Sequence, residues 1–189
     1  MISKLKTAPA TEPISLRQAK KNLRLAVTDA DADAYDYEDD LISRLITAAR
    51  EYVEHYTGKR LVSQVWELYL DNWPDDGVIT LPESEVISVA SLTYNGTAFT
   101  DYTADLVSET ARLVLNSDSN WPTTTLNDVN PIKITYTVGY ATVPSAATTA
   151  MHLIIGSMYN NRESFITGTI ATTLPLGVNA MLDTIRRYT

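Results

Sequence analysis

Residues 41–70 read LISRLITAAREYVEHYTGKRLVSQVWELYL, and the hydrophobic period changes inside them. Leu41, Ile42, Leu45, Ile46, Ala49, Tyr52, Val53 and Tyr56 recur at helical spacing. Acidic residues ahead of Leu41 suit a helix N-terminus, where the backbone dipole favours negative charge. Gly58 is placed to end the helix in a left-handed conformation, with Lys59 and Arg60 beyond it. From Val62 the period becomes two: Trp66, Leu68 and Leu70 alternate with Glu67, Tyr69 and Asp71. The chain therefore turns from helix to strand within a few residues.

Upstream, residues 1–13 hold Pro9 and Pro13 in a Thr/Ala context and are expected to form a flexible arm. Ser15-Leu16-Arg17-Gln18 has the form of a capping box, with Ile14 as its staple and Leu16, Ala19 and Leu23 as a buried stripe. An acidic loop is expected over 29–40. Downstream, Trp73-Pro74-Asp75-Asp76-Gly77 reads as a turn, Val78–Leu81 and Val86–Tyr94 as strands, and Asn95-Gly96 as a hairpin signal. Arg112–Leu115 is a short strand candidate, and 116–131 is polar and irregular. Ile132, Ile134, Tyr136 and Val138 alternate cleanly, and Gly139-Tyr140 ends the strands. Pro144 suits the first turn of a helix whose buried face is Ala147, Met151, Ile154, Ile155 and Met158. A last helix is expected from about Val178, with Met181, Leu182 and Ile185 inward and Arg186 and Arg187 at its cation-favouring end. The fold expected is α+β, a small helical bundle of about four helices with an inserted antiparallel β region. Residues 1–189 form a single domain in this reading, with 14–58 and 144–189 as the bundle and 62–139 as the insertion.

Composition narrows the function classes. A chain of 189 residues buries roughly 70% of its unfolded surface and needs no metal or disulfide to hold a core. It has no cysteine, which removes disulfides, zinc–thiolate sites and thiol nucleophiles. No apolar run reaches membrane-span length, and no apolar stretch follows Lys4 and Lys6, so neither a span nor a signal peptide is expected. The net charge is −8, with Asp29, Asp31, Asp33, Asp36, Glu38, Asp39 and Asp40 in one run. Such a protein is poorly suited to gripping phosphates, which relies on Lys and Arg releasing counterions.

Candidate chemistry is sparse. Asp29-x-Asp31-x-Asp33, with Asp40 twelfth, has the spacing of an EF-hand calcium loop. Position six is Ala34 rather than glycine, and position twelve is the shorter Asp, so a solvated acidic loop is favoured. His55 and His152 lie in no metal-binding or triad spacing. Gly58-Lys59-Arg60 lacks the glycine and hydroxyl residue of a phosphate loop. No catalytic residue, metal site or cofactor is expected. Calcium-dependent binding through Asp29–Asp40 remains an alternative, as does an unrecognised hydrolase using exposed carboxylates. Eleven tyrosines and three tryptophans give mild support to a binding surface.

Taken in order, Glu12-Pro13-Ile14-Ser15-Leu16, Ala19-Lys20, Leu23-Arg24, Ala48–Glu54, Thr57-Gly58, Trp66-Glu67-Leu68, Asn161-Arg162-Glu163 and Leu174–Val178 resemble the head–tail connector (adaptor) family of tailed bacteriophages. The resemblance spans Glu12 to Ile185. The acidic run at 29–40 is longer and more Asp-rich than the family pattern, and Val138 stands where a small residue is usual. The resemblance implies a non-enzymatic virion protein, assembled in the bacterial host cytoplasm. It would form a homo-oligomeric ring beneath the portal protein, extend the DNA channel and dock the next head-completion or tail protein. Double-stranded DNA would pass without specific binding, and no membrane is involved. A tail-completion or stopper protein of the same channel is the alternative. Partner contacts are expected at Thr167, Gly168, Thr169 and Ile170, in a plain loop over 167–173, and at Arg186, Arg187 and Tyr188.

Overall fold

The computed structural model describes residues 1–26, 28–34, 36–108, 110–161 and 176–187. It is a mixed α+β protein that divides into two compact units, residues 1–10 with 62–141 and residues 11–61 with 142–189.

The first unit is built from antiparallel strands: β1 (Ile2–Thr7), β2 (Gln64–Leu70), β3 (Val78–Thr80), β4 (Val86–Tyr94), β5 (Thr97–Ala98), β6 (Tyr102–Asp105), β7 (Arg112–Leu115) and β8 (Ile132–Val138). They form a five-stranded sheet in the order β1-β2-β8-β4-β5 and a three-stranded sheet in the order β3-β7-β6. The alternation in β2 and β8 sets the core. Trp66 pairs with Tyr136, Leu68 with Ile134 and Leu70 with Ile132. Leu68, Ile132, Ile134, Tyr136 and Val138 are buried together with Leu92, Leu81 and Leu113. Asn95 (φ 47°) and Gly96 (φ 83°) form the two-residue turn between β4 and β5, as the Asn-Gly pair predicts.

One expectation fails in this unit. The first residues are not a flexible arm, because Ile2–Thr7 is a strand paired antiparallel with β2. A single leucine between two lysines made it unreadable, since edge strands carry little of the β-branched signal that marks a central one. The stretch 116–131 is irregular, as its composition suggests, and it is anchored by aromatic contacts. Trp121 stacks on Trp73 at 4.5 Å and its indole N–H donates to the Pro74 carbonyl at 3.0 Å. Phe99 and Tyr94 complete the aromatic cluster.

The second unit holds α1 (Leu16–Asn22), α2 (Asp29–Asp33), α3 (Asp39–Thr57), α4 (Ser145–Asn160) and α5 (Leu176–Asp183). The described residues thus carry five helical segments where about four were expected. The additional one is α2, a single turn inside the supposed acidic loop. Thr28 starts it with a capping box: its hydroxyl accepts from the Asp31 N–H, and Asp31 accepts from the Thr28 N–H at 3.0 Å. Ser15 and Gln18 start α1 in the same way. Gly58 ends α3 at φ 68°, its N–H bonding the Glu54 carbonyl at 3.0 Å. The core of this unit includes Ile42, Ile46, Ala49 and Val53 from α3, Ala147, Met151, Ile154 and Ile155 from α4, and Val178 and Leu182 from α5. Among the described residues, no helix is long and apolar enough to cross a membrane.

Candidate partner-binding surfaces

The α3 face reads as apolar in sequence but buries charge as well. Arg50 and Glu54 are 6% and 4% exposed. Arg50 Nη1 donates to Glu54 Oε2 at 3.0 Å, and Arg50 Nε donates to Glu12 Oε2 at 2.8 Å. The other Glu12 oxygen accepts from Thr47 Oγ1 at 2.9 Å, and the other Glu54 oxygen accepts from the Leu61 N–H at 2.9 Å. Two motifs far apart in sequence, the one opening at Glu12 and the one spanning Ala48–Glu54, therefore meet in one ionic clamp. Burial pushes the Glu54 carboxyl above the usual range, against the Leu61 N–H and the neighbouring arginines. The signal available in sequence was the Arg50/Glu54 spacing of four, which reads equally well as a surface pair.

The acidic run makes internal contacts rather than a cation cage. Asp29 is paired with Arg17 and Lys21, and these partners hold its carboxyl down at about 2. Asp31 closes the cap of α2. Asp39 meets Lys20 at 2.6 Å, with both side chains under 10% exposed, and Lys20 Nζ also donates to the Ala34 carbonyl at 2.7 Å. The Lys20 hydrogen bond is the main cause of the lowered Asp39 pKa. Glu38 accepts from the Tyr159 hydroxyl. Helix α2 turns Asp29 and Asp33 toward Arg17 and Asp31 toward its own cap, where a calcium loop needs all three on one cation. Among the described residues, no group of three or more acidic or histidine side chains could hold a metal.

At the turn after β6, Asp105 gathers four donors. Its carboxylate accepts from Ser108 Oγ at 2.7 Å, from the Ser108 and Val107 N–H groups at 3.2 Å each, and from Arg112 Nε at 3.0 Å. The Ser108 bonds, then Arg112, hold its pKa down at about 2. A lowered carboxyl pKa stabilises the fold above the unfolded value near 3.8, and the contribution disappears as pH falls from there toward about 2. We expect thermal stability to drop across that window, and the drop to shrink in Asp29→Asn and Asp105→Asn. A carbon-detected NMR titration placing Asp105 near 3.8 would contradict the geometry.

The sequence places Arg186 and Arg187 in the last turn of the final helix. The structure ends α5 at Asp183 and puts both arginines just beyond it. Arg186 is exposed, with its guanidinium over the Tyr56 ring at 4.9 Å. Tyr56 donates to Asp183 Oδ1 at 2.9 Å, and this bond is the main cause of its raised pKa. The Arg187 N–H donates to the Thr57 carbonyl at 2.9 Å, and its Cβ lies near Gly58. The α3 C-terminus and the arginine segment thus form one patch. The other expected contact residues, Thr167, Gly168, Thr169, Ile170 and Tyr188, lie outside the described residues, as do Arg162 and Glu163 of the resemblance.

His55 is exposed on α3. His152 lies on α4, where burial lowers its pKa. A groove of about 490 Å³ runs between residues 11–16 and α3, lined by Ile14, Leu16, Ile46 and Thr47 among others. Its carboxylate, Glu12, is already held by Arg50.

Three solved structures share this fold over 100% of the chain and 97% of theirs. They are the neck of an empty gene transfer agent particle computed with C6 symmetry (TM-score 0.77, 22% identity), the virion of a native gene transfer agent particle (0.76, 21%), and the neck of a native particle computed with C12 symmetry (0.70, 20%). No curated protein matches the sequence. Residues 13–133 match the Phage gp6-like head-tail connector protein family, a span that contains Arg50 and Glu54 of the ionic clamp, α1 to α3 and the strands from β2 to the start of β8. The chain belongs to that family of phage head–tail connectors.

Proposed function

We infer that the protein is a non-enzymatic connector that forms a ring beneath the portal of the phage head, continues the DNA channel and presents a docking surface to the next head-completion or tail protein. The family match over 13–133 carries this reading. The fold shared with neck subunits of gene transfer agent particles, two of them computed with rotational symmetry, supports it. The net charge of −8 fits a channel wall along which DNA slides, since a net negative surface repels phosphates. The reading places the protein in the virion, after assembly in the host cytoplasm.

Arg186 and Arg187, with Tyr188 and the 167–170 segment, are the proposed portal contacts. Arg186 is exposed and held in place by Tyr56 rather than buried by it. Rim charges of this kind act mainly on association rate and salt dependence. Reversing both charges, Arg186→Glu with Arg187→Glu, should weaken portal binding about 10-fold or more while the circular dichroism spectrum stays unchanged. Deleting 179–189 is a poorer test, because it removes the fully buried Leu182. A folded double variant that binds portal with wild-type affinity would remove this segment from the interface.

A further inference from the structure

We propose that subunits of the ring join by strand addition, β1 of one copy pairing antiparallel with the open edge of β4 in the next. The proposal rests on the ring reading above and specifies how the ring closes.

Strand direction is the first support. The order β1-β2-β8-β4 contains only antiparallel pairs, so β1 and β4 run in opposite directions at the two ends of the sheet. A second copy placed head to tail, with the same face outward, brings its β1 against β4 in the antiparallel sense. Every new pair then has the same geometry as the pairs inside the sheet. A contact between two different edges is heterologous, and such contacts generate rings when the rotation closes.

Both edges are available within this unit. Strand β5 covers β4 only at Thr93 and Tyr94, and the Phe99 N–H takes the Leu92 carbonyl. Residues 86–91 have no strand on that side among the described residues. Ile87 and Ala90 are the residues skipped in the pairing with β8; both are exposed, Ile87 at 50%. Bulges of this kind re-aim side chains outward at sheet edges. On β1, Ile2 and Leu5 are 60% and 41% exposed.

Charge selects this pairing over the symmetric one. Strand β1 carries Lys4 and Lys6 and no acid, while Val86–Leu92 carries no charge and is preceded by Glu85. Two β1 strands facing each other would oppose lysines, which is unfavourable across a ladder. Pairing β1 with β4 instead sets Lys4 and Lys6, the latter bonded to Glu67 at 2.9 Å, against an uncharged strand. Register follows from the rows of the sheet. Lys4, Glu67, Thr135 and Ser91 lie in one row, so a level continuation sets the neighbour's Lys4 opposite Ser91.

The absence of cysteine makes the test clean. Lys4→Cys is combined with Ser88→Cys, Ser91→Cys or Thr93→Cys in the full chain, assembled with purified portal protein and oxidised. Directly opposed residues on adjacent strands are close enough for a disulfide. The expected result is a ladder of linked subunits under denaturing conditions, strongest for Lys4/Ser91, with no ladder from the single variants. Separately, Ser91→Lys should weaken ring formation about 10-fold, and adding Lys4→Glu should restore it. Rings visible by electron microscopy with no ladder from any pair, and unaffected by Ser91→Lys, would overturn strand addition and leave the connector reading standing. Failure of the wild-type chain to form rings with portal would overturn both.

Discussion

Replacing Gly139 with alanine should destabilise the β unit by about 4 kcal/mol, close to the limit of what a domain of this size tolerates. Gly139 has φ +132°, a region side-chain-bearing residues rarely enter. A Cβ there would lie 2.5 Å from both the carbonyl carbon and oxygen of Val62 and 2.8 Å from the Ser63 nitrogen. These are backbone atoms just before β2, whose first residue Gln64 pairs with Val138, so relief requires moving the β2–β8 strand pair. Strain and overpacking of this kind add. The three tryptophans, Trp66, Trp73 and Trp121, all lie in this unit, so their fluorescence reports its unfolding directly. The denaturation midpoint should fall far more for Gly139→Ala than for Gly96→Ala, which has a positive φ but nothing within 4 Å of the built Cβ. Equal losses at the two sites would show that the close approach at Val62 contributes nothing.

Truncating Arg50 to alanine should cost about 3–5 kcal/mol, because it leaves two carboxylates without their shared cation in a buried site. Glu54 is nearly inaccessible and would keep the Leu61 N–H and the field of Arg60 but lose its bond to Arg50, while Glu12 would retain Thr47. Arg50→Lys keeps the charge but loses the fork that spans Glu12 and Glu54, and should recover only part of the loss. The pH dependence has a definite sign. The Glu54 pKa is already raised in the folded state, so its stabilising contribution is present below the unfolded value of about 4.5 and is lost as pH rises through the folded value. Removing Arg50 raises that folded value further. The deficit of the variant relative to wild type should therefore be largest near neutral pH and shrink as Glu54 protonates. A deficit below about 1 kcal/mol, constant with pH, would mean the clamp behaves as an exposed pair.

The readable parts of this chain were those in which one period dominates. Helix α3 announced itself through Ile42, Ile46, Ala49 and Val53, and β2 and β8 through strict alternation, because each packs one face against a core. Asn95-Gly96 gave its turn because few other pairs adopt that backbone. Strand β1 was missed because an edge strand buries little and need not alternate, and the nearby prolines suggested a loose arm. Helix α2 was missed because seven acids in a short run suggest a solvated loop. The Thr28-x-x-Asp31 cap was its available signal. Nothing in the sequence marks Lys20, Arg50 and Glu54 as buried, since charge is seldom buried unless paired and the pairing is tertiary. For the partner surface, sequence gave the arginines but not their setting. The patch forms only when residues 183–187 return to the end of α3, a contact across more than a hundred residues of chain.

The central claim is that this chain acts as a closed ring on a portal. The most direct measurement is the mass of the purified protein by light scattering, alone and after mixing with portal protein, with electron micrographs of the large species. The account predicts a complex containing a closed ring of this chain, coaxial with the portal and open at its centre, whether or not the ring forms alone. A chain that stays monomeric beside the portal at high concentration, or binds it as isolated copies without closing, would contradict it.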